Sequence, residues 1–354
     1  MTHTSVSTPE GVDLERLQPY FAAHVEGASG ERPLSAELIA GGKSNLTYVI
    51  SDGEHDWVLR RPPLGHVLPT AHDMSREYRV LTALADTDVP VPRTFAFCDD
   101  EAVNGAPFYV MERVIGQIPR TAEEMARISP EDAAACSREL IDVLARIHAV
   151  DYEAVGLGDF GHPEGFLERQ VRRWGEQWER SKAAELPAID ELARRLRAAL
   201  PQSGPPSIVH GDYRLDNTML APDDPTRIVA VLDWEMATLG DPLADVGLFL
   251  LHWAQNEAQI IATVEGISED AGFLSRDEVI DLYAERSGRR VDELDWYVVF
   301  AGYKLAIIVE GIAARYRMGK TLGEGFDHMG EMVAQLCDGA LAVANASSIS
   351  ALRG

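Results

Sequence analysis

The 354-residue chain predicts an α+β protein in two parts, a sheet-rich N-terminal part and a larger, mostly helical C-terminal part. Three observations point there. Short runs rich in β-branched and aromatic residues crowd residues 1–112. From Ser129 onward, apolar residues recur at helical spacing. Between Ile208 and Asp245 the helical pattern is interrupted by two short apolar runs, Ser207–Val209 and Arg227–Leu232, around a polar loop. A chain of this length can bury a sizeable core and form two subdomains.

Taken in order, residues up to about 9 read as a polar tail without the apolar stretch of a secretory signal. Leu14, Leu17, Phe21 and Val25 mark an amphipathic helix over Val12 to Val25. Strands are expected at Leu34 to Ile39, Leu46 to Ser51, Trp57 to Arg61, Phe95 to Cys98 and Phe108 to Met111. Gly41, Gly42, Lys43, Ser44 and Asn45 form a turn between the first two. Glycine N–H groups can approach phosphates with no Cβ in the way. A Walker A reading fails, because its first glycine would fall on Glu37 and a strand follows instead of a helix. Ser75 to Leu84 reads as a helix capped by Ser75. Ser129, Pro130, Glu131 and Asp132 give a cap, a first-position proline and acids in the first turn of the next. Further helices are expected over Phe166–Lys182, Ala188–Leu200, Val246–His252, Arg276–Gly288, Val291–Arg317 and Phe326–Ala344, then a frayed tail. Trp174 and Trp178, four apart, read as core packing.

The chemistry concentrates after the Ser207–Val209 run. It leads to His210, Gly211 and Asp212, then Asn217, and the next strand ends at Asp233. Phosphoryl transfer from a nucleotide needs few side chains: a carboxylate for the acceptor hydroxyl and oxygen ligands for Mg²⁺ on the phosphates. Asp212 fits the first role, and Asn217 and Asp233 the second.

These residues resemble the aminoglycoside phosphotransferase family, a branch of the protein-kinase-like fold. The likeness is to the subgroup related to the kinase domain fused to some acyl-CoA dehydrogenases. GGKSNLTY resembles the family's GG-x-SN-x-TY loop, VLRRPP its phosphate-binding strand, and Gly240 to Asp245 its GDP-x-x-D pattern. The resemblance implies a bilobal fold: a nucleotide-binding lobe over 1–112 and a catalytic, acceptor-binding lobe over 113–354. It implies that Gly41, Gly42, Ser44 and Asn45 contact phosphates. Arg60 would stand where kinases carry a phosphate-binding lysine, paired with Glu77, and Arg can clamp phosphate bidentately. Backbone groups near Glu112 and Val114, at the hinge, would bind adenine. Asp241 would cap a helix, Asp245 would brace the catalytic loop, and His148 is taken as structural.

The expected activity is therefore transfer of the γ-phosphoryl of ATP or GTP, with Mg²⁺, to a hydroxyl of a small-molecule metabolite. An aminoglycoside acceptor and a regulatory nucleotide-binding pseudokinase are the alternatives. A protein kinase is disfavoured, because Asp233-Trp234-Glu235 stands where Asp-Phe-Gly would and no Ala-Pro-Glu follows.

Composition narrows the partners. With 32 Lys plus Arg against 57 Asp plus Glu, the net charge of −25 argues against nucleic acid and anionic membranes. The longest apolar run, Val246–Leu251, is too short to span a bilayer. Cys98, Cys136 and Cys337 show no metal-ligand spacing, which suggests a reducing, cytoplasmic setting and no zinc. Oligomeric state has no signature. The acids available to hold a polycation are Glu164, Glu168, Glu176, Glu179 and Glu310. Arg169, Arg172, Arg173 and Arg180 interleave with the first four, so a neutral or anionic acceptor is expected.

Overall fold

The computed structural model describes residues 9–39, 45–64, 73–253, 267–317 and 329–354. The expected polar tail up to residue 8, the turn residues Gly41, Gly42, Lys43 and Ser44, and the start of the helix expected at Phe326 lie outside them. The chain divides into two compact units, Met1–Gly116 with Val229–Glu235, and Gln117–Ile228 with Met236–Gly354.

The first unit contains α1 (Leu14–His24), β1 (Ser35–Leu38), β2 (Leu46–Ser51), β3 (Asp56–Arg61), α2 (Met74–Leu84), β4 (Thr94–Cys98), α3 (Glu101–Asn104) and β5 (Phe108–Glu112). The strands form an antiparallel sheet in the order β1-β2-β3-β5-β4. Alternation sorts its residues between two faces. Tyr48, Ile50, Trp57, Leu59, Phe108 and Val110 join Leu17 and Phe21 of α1 in one core. Val58 and Arg60 therefore point to the other face, where α2 packs against β4 and β5. The cap of α2 is Asp73, not Ser75 as expected. Its carboxylate accepts the Ser75 N–H (2.9 Å) and the Ser75 hydroxyl, so the side chain two residues before Ser75 satisfies the orphan N–H groups of the first turn.

The second unit contains α4 (Ala122–Met125), α5 (Pro130–Ala149), α6 (Phe166–Ser181), α7 (Pro187–Ala198), β6 (Ser207–Val209), β7 (Thr218–Ala221), most of β8 (Asp224–Val231), β9 (Thr238–Gly240), α8 (Leu243–His252), α9 (Arg276–Ser287), α10 (Leu294–Arg317), α11 (Met329–Ala346) and α12 (Ser350–Arg353). Ser129 caps α5 as expected, accepting the Asp132 N–H at 3.1 Å. β6 pairs with β9, and the unexpected β7 pairs with β8.

Helix α10 packs against α6, α7, α8 and α11. Among the described residues it alone is long and apolar enough to cross a membrane, with a mean hydropathy of 1.6, and 78% of that window is buried in the protein. This corrects the expectation that no apolar stretch reaches that length. Tyr303, Lys304 and Glu310 interrupt the run in sequence, and the burial is that of a core helix. The tail is corrected too. Residues Ser350–Arg353 form α12, Leu352 is fully buried, and Arg195 on α7 donates to the Asn345 side chain (2.7 Å) and the Leu352 carbonyl (3.3 Å).

Candidate active site

The first unit holds a buried charge cluster. Arg60 lies on β3, in register with Tyr109 of β5. Its Nη2 meets the Asp233 carboxylate at 2.5 Å, and its Nε lies 3.1 Å from Glu77 Oε2 on α2. Burial alone would lower the pKa of Arg60, but Glu77, Tyr109 and Asp233 together hold it above the ordinary value. Burial raises that of Glu77, and the nearby Arg60 opposes this only in part. Asp233 has φ 66, a left-handed conformation unusual for a residue with a Cβ. The following indole fixes it: Trp234 is buried and donates Nε1–H to the Val231 carbonyl at 3.0 Å, while the Val231 N–H donates to Pro90. Asn45 is buried and donates to Glu235 at 3.0 Å. Glu112 ends β5 with its N–H already donated to the Arg93 carbonyl (2.7 Å), and Val114 lies just beyond, half-buried.

The second unit holds the loop after β6. The buried Asp245 accepts the His210 N–H at 2.6 Å through one oxygen and the Gly211 N–H at 2.7 Å through the other. His148 lies 3.3 Å from the same carboxylate and 2.8 Å from the Tyr283 hydroxyl. Burial would raise the pKa of Asp245, but His148, His210 and the Gly211 N–H reverse it and hold the carboxyl below its usual value. Gly211 is required here: its φ is +85, and a Cβ would sit 2.7 Å from the Met236 carbonyl oxygen. Asn217 then fastens Asp212, donating Nδ2 to the Asp212 carbonyl (2.9 Å) and to its carboxylate (2.8 Å). That leaves Asn217 Oδ1 available to a cation. Asp212 keeps its side chain 28% exposed, with Arg214 Nε 3.4 Å away.

The structure thus brings Arg60, Glu77 and Asp233 together in one unit, and Asp212 and Asn217 in the other. Asp241 accepts the Leu243 N–H at 3.0 Å at the start of α8, in the capping role expected of it. Two residues near these groups went unnoticed in the sequence. Tyr109 is one, reachable through strand register. Lys304 is the other, its ammonium 2.8 Å from the Gly211 carbonyl oxygen, and only the fold reveals it. The five acids weighed for a polycation form no wall. Glu164, Glu168, Glu176 and Glu179 are exposed, and Glu310 accepts the Ala183 N–H (2.9 Å) and pairs with Arg317 (2.6 Å).

Mg²⁺ takes one or two protein oxygens, the substrate phosphates and water, not an all-protein cage. Taken unit by unit, the oxygens suit this need: a carboxylate on Asp233 in the first and an amide oxygen on Asn217 in the second, and among the described residues no cluster of three or more His, Cys, Asp or Glu could hold a metal.

A five-stranded antiparallel unit followed by a largely helical one, with an Asp-x4-Asn loop braced by a buried Asp, defines a kinase-like phosphotransferase acting on hydroxyl groups. Residues 35–280 match the model of the phosphotransferase enzyme family, and the chain belongs to that family. It is 34% identical over 318 residues to acyl-CoA dehydrogenase family member 11 of Rattus norvegicus, a match covering 88% of this chain and 41% of that protein. The chain therefore spans about two fifths of that relative's length. A crystal structure of a protein assigned as an aminoglycoside phosphotransferase, from Ralstonia eutropha, is 35% identical, with a TM-score of 0.78 over 93% of this chain and 98% of that one. A thermostable mutant aminoglycoside phosphotransferase in ternary complex with AMP-PNP and hygromycin B shares the fold, with a TM-score of 0.60 and 13% identity, over 94% of this chain and 99% of that one.

Proposed function

We propose that this chain transfers the γ-phosphoryl group of ATP, or of GTP, to a hydroxyl of a small neutral or anionic metabolite in a cytoplasmic setting. The observation that carries this reading is Asp212: a part-exposed carboxylate fixed by Asn217, on a loop whose backbone Asp245 holds. Asp212 orients the acceptor hydroxyl and takes its proton late, as suits a loose transition state. Arg60, aligned by Glu77, serves the nucleotide phosphates, with Gly41, Gly42, Ser44 and Asn45 contributing from the glycine turn. Backbone groups at Glu112 and Val114 serve the base. Asn217 and Asp233 supply oxygens to Mg²⁺, which when bound neutralises charge on the phosphates. The AMP-PNP bound to the aminoglycoside phosphotransferase neighbour supports ATP as the donor. Cys98, Cys136 and Cys337, all free and buried, support the reducing setting.

Likeness to a segment of acyl-CoA dehydrogenase family member 11 makes hydroxyacyl thioesters the first acceptors to test. The Ralstonia protein's assignment favours aminoglycosides as a second reading. Millimolar Mg·ATP should raise the melting temperature, since a ligand of the folded state stabilises it by mass action. Asp212→Asn should keep that shift and lose turnover, whereas Asp233→Ala should weaken the shift itself. A folded wild type with no shift overturns the kinase reading. Aminoglycoside turnover that falls steeply with salt selects the second reading.

A further inference from the structure

Lys304 is a half-buried cation that phosphoryl transfer, as assigned above, does not use. It sits on α10, 93 residues from the loop it touches, and its Nζ donates to the Gly211 carbonyl oxygen at 2.8 Å. That carbonyl belongs to the residue immediately before Asp212. Among the described residues no carboxylate lies within ion-pair distance of the ammonium. A neutral donor would serve one carbonyl equally well, and a carbonyl and an aromatic face together leave a half-buried ammonium short of a full counter-charge. The surroundings repeat the pattern. The Lys304 ammonium is 5.8 Å from the Trp174 ring centre, and the Trp174 indole N–H is buried without an acceptor. Arg214 is shared between two carboxylates, its Nε 3.4 Å from Asp212 and its Nη1 3.1 Å from Asp216, and so is not free to serve an acceptor. The carboxylates acting on Lys304 are Asp212 and Asp245. Burial draws the ammonium's pKa below its ordinary value, and those two carboxylates oppose this only in part. His252, held near a pKa of about 3 by burial and by the charges of Arg214 and Lys304, stays neutral and adds no charge.

We infer that Lys304 is a specificity-determining residue, placing a positive charge beside Asp212 that admits hydroxylated acceptors carrying a carboxylate or similar anionic oxygen group and repels ammonium-bearing ones. The inference rests on the kinase reading and deepens it. It marks a departure from enzymes that phosphorylate aminoglycosides, whose acceptors are polycations. An added carboxylate would occupy the ammonium's remaining N–H groups and the unpaired Trp174 donor, while an ammonium there would meet like charge without a counter-ion.

The test uses full-length wild type, Lys304→Met and Lys304→Arg, with ADP release as the readout. The probes are matched alcohols of three to six carbons bearing a carboxylate, a hydrogen or an ammonium at the far end. Mg·ATP binding is measured alongside by thermal shift. Wild type should prefer the acid to the amine by about tenfold or more, the size of one hydrogen bond to a charged group. Lys304→Met should bring that ratio near unity with Mg·ATP binding unchanged, and Lys304→Arg should restore it. A loss of packing alone would lower all three rates together and leave the ratio intact. No acid outdoing its amine in wild type, an unchanged ratio in Lys304→Met, or a loss confined to Mg·ATP binding would each overturn the assignment. If wild type binds no Mg·ATP at all, it is the kinase reading that fails.

Discussion

Two buried carboxylates, one in each unit, are perturbed in opposite directions. Glu77 on α2 and Asp245 on α8 are both essentially inaccessible, yet the pKa of the first is raised and that of the second lowered. Desolvation is the largest influence on each and pushes both upward, so the difference lies in what opposes it. Asp245 receives two short backbone N–H bonds and a histidine. Glu77 depends mainly on one guanidinium, which it shares with Asp233, and the Tyr109 hydroxyl and the Trp234 N–H add to it without offsetting its burial. The loop around Asp212 is therefore preorganised by groups that belong to the fold. The Arg60 cluster is held by charges that a nucleotide and its cation would compete for. On the function proposed above, rigid placement would suit a residue that handles the acceptor, and exchangeable pairing would suit residues that admit phosphates.

Removing each carboxylate breaks the comparison most directly. Asp245→Ala leaves the His210 and Gly211 N–H groups buried without an acceptor and His148 without its carboxylate. It should cost about 3–5 kcal/mol of unfolding free energy, the range for breaking a buried charged network, and abolish turnover. Urea denaturation measures the first. A loss below about 1 kcal/mol would show that the loop does not depend on this brace.

How much of this was legible in the sequence follows from the range of each interaction. Asp212 and Asn217 could be named because five residues of loop set their spacing, and Asp233 because it closes the next strand. The brace by Asp245 was legible through the Gly240–Asp245 pattern, although its partners lie 34 and 35 residues away. Lys304 was not, since nothing near it in the chain signals that α10 packs along α8 and α6. The tail misled for the same reason: its polar composition hides Leu352, which is buried only because α7 and α11 meet α12. β7 is four residues of mixed polarity, too short to carry a period. Ser75 lost the cap to Asp73 because both residues suit a helix start, and the choice between them depends on side-chain geometry.

Acid titration sharpens the contrast with a smaller effect. Asp245 has a depressed folded-state pKa, so its contribution is present above its unfolded value of about 4 and is lost as pH falls through the folded value. Stability relative to Asp245→Asn should therefore decline below about pH 4. An equal acid dependence in wild type and Asp245→Asn would assign the acid limb to other carboxylates.

Glu77→Gln should show the smallest effect and the opposite sign. A carboxyl whose folded pKa is raised contributes stability that is fully present below its unfolded value of about 4.3 and is lost as pH rises through the folded one. Ionisation of Glu77 thus carries a burial cost that Arg60 offsets only in part. The amide keeps the shape and removes that cost, but it also leaves Arg60 with Asp233 as its one carboxylate partner. The two changes oppose each other, so the net shift in unfolding free energy at pH 7 should stay within about 1–2 kcal/mol. Relative to this variant, wild type should lose ground as pH rises from 4 to 7, the reverse of the Asp245 comparison. Mg·ATP should separate the roles further, because Arg60 freed from Glu77 is no longer aligned along β3, and the ligand-induced melting shift should shrink while the melting temperature without ligand barely moves. Parallel urea titrations at pH 4 and pH 7, with and without Mg·ATP, decide the matter. A destabilisation as large as that of Asp245→Ala would mean that Glu77 is as firmly served as Asp245, and the contrast between the exchangeable cluster and the braced loop would be lost.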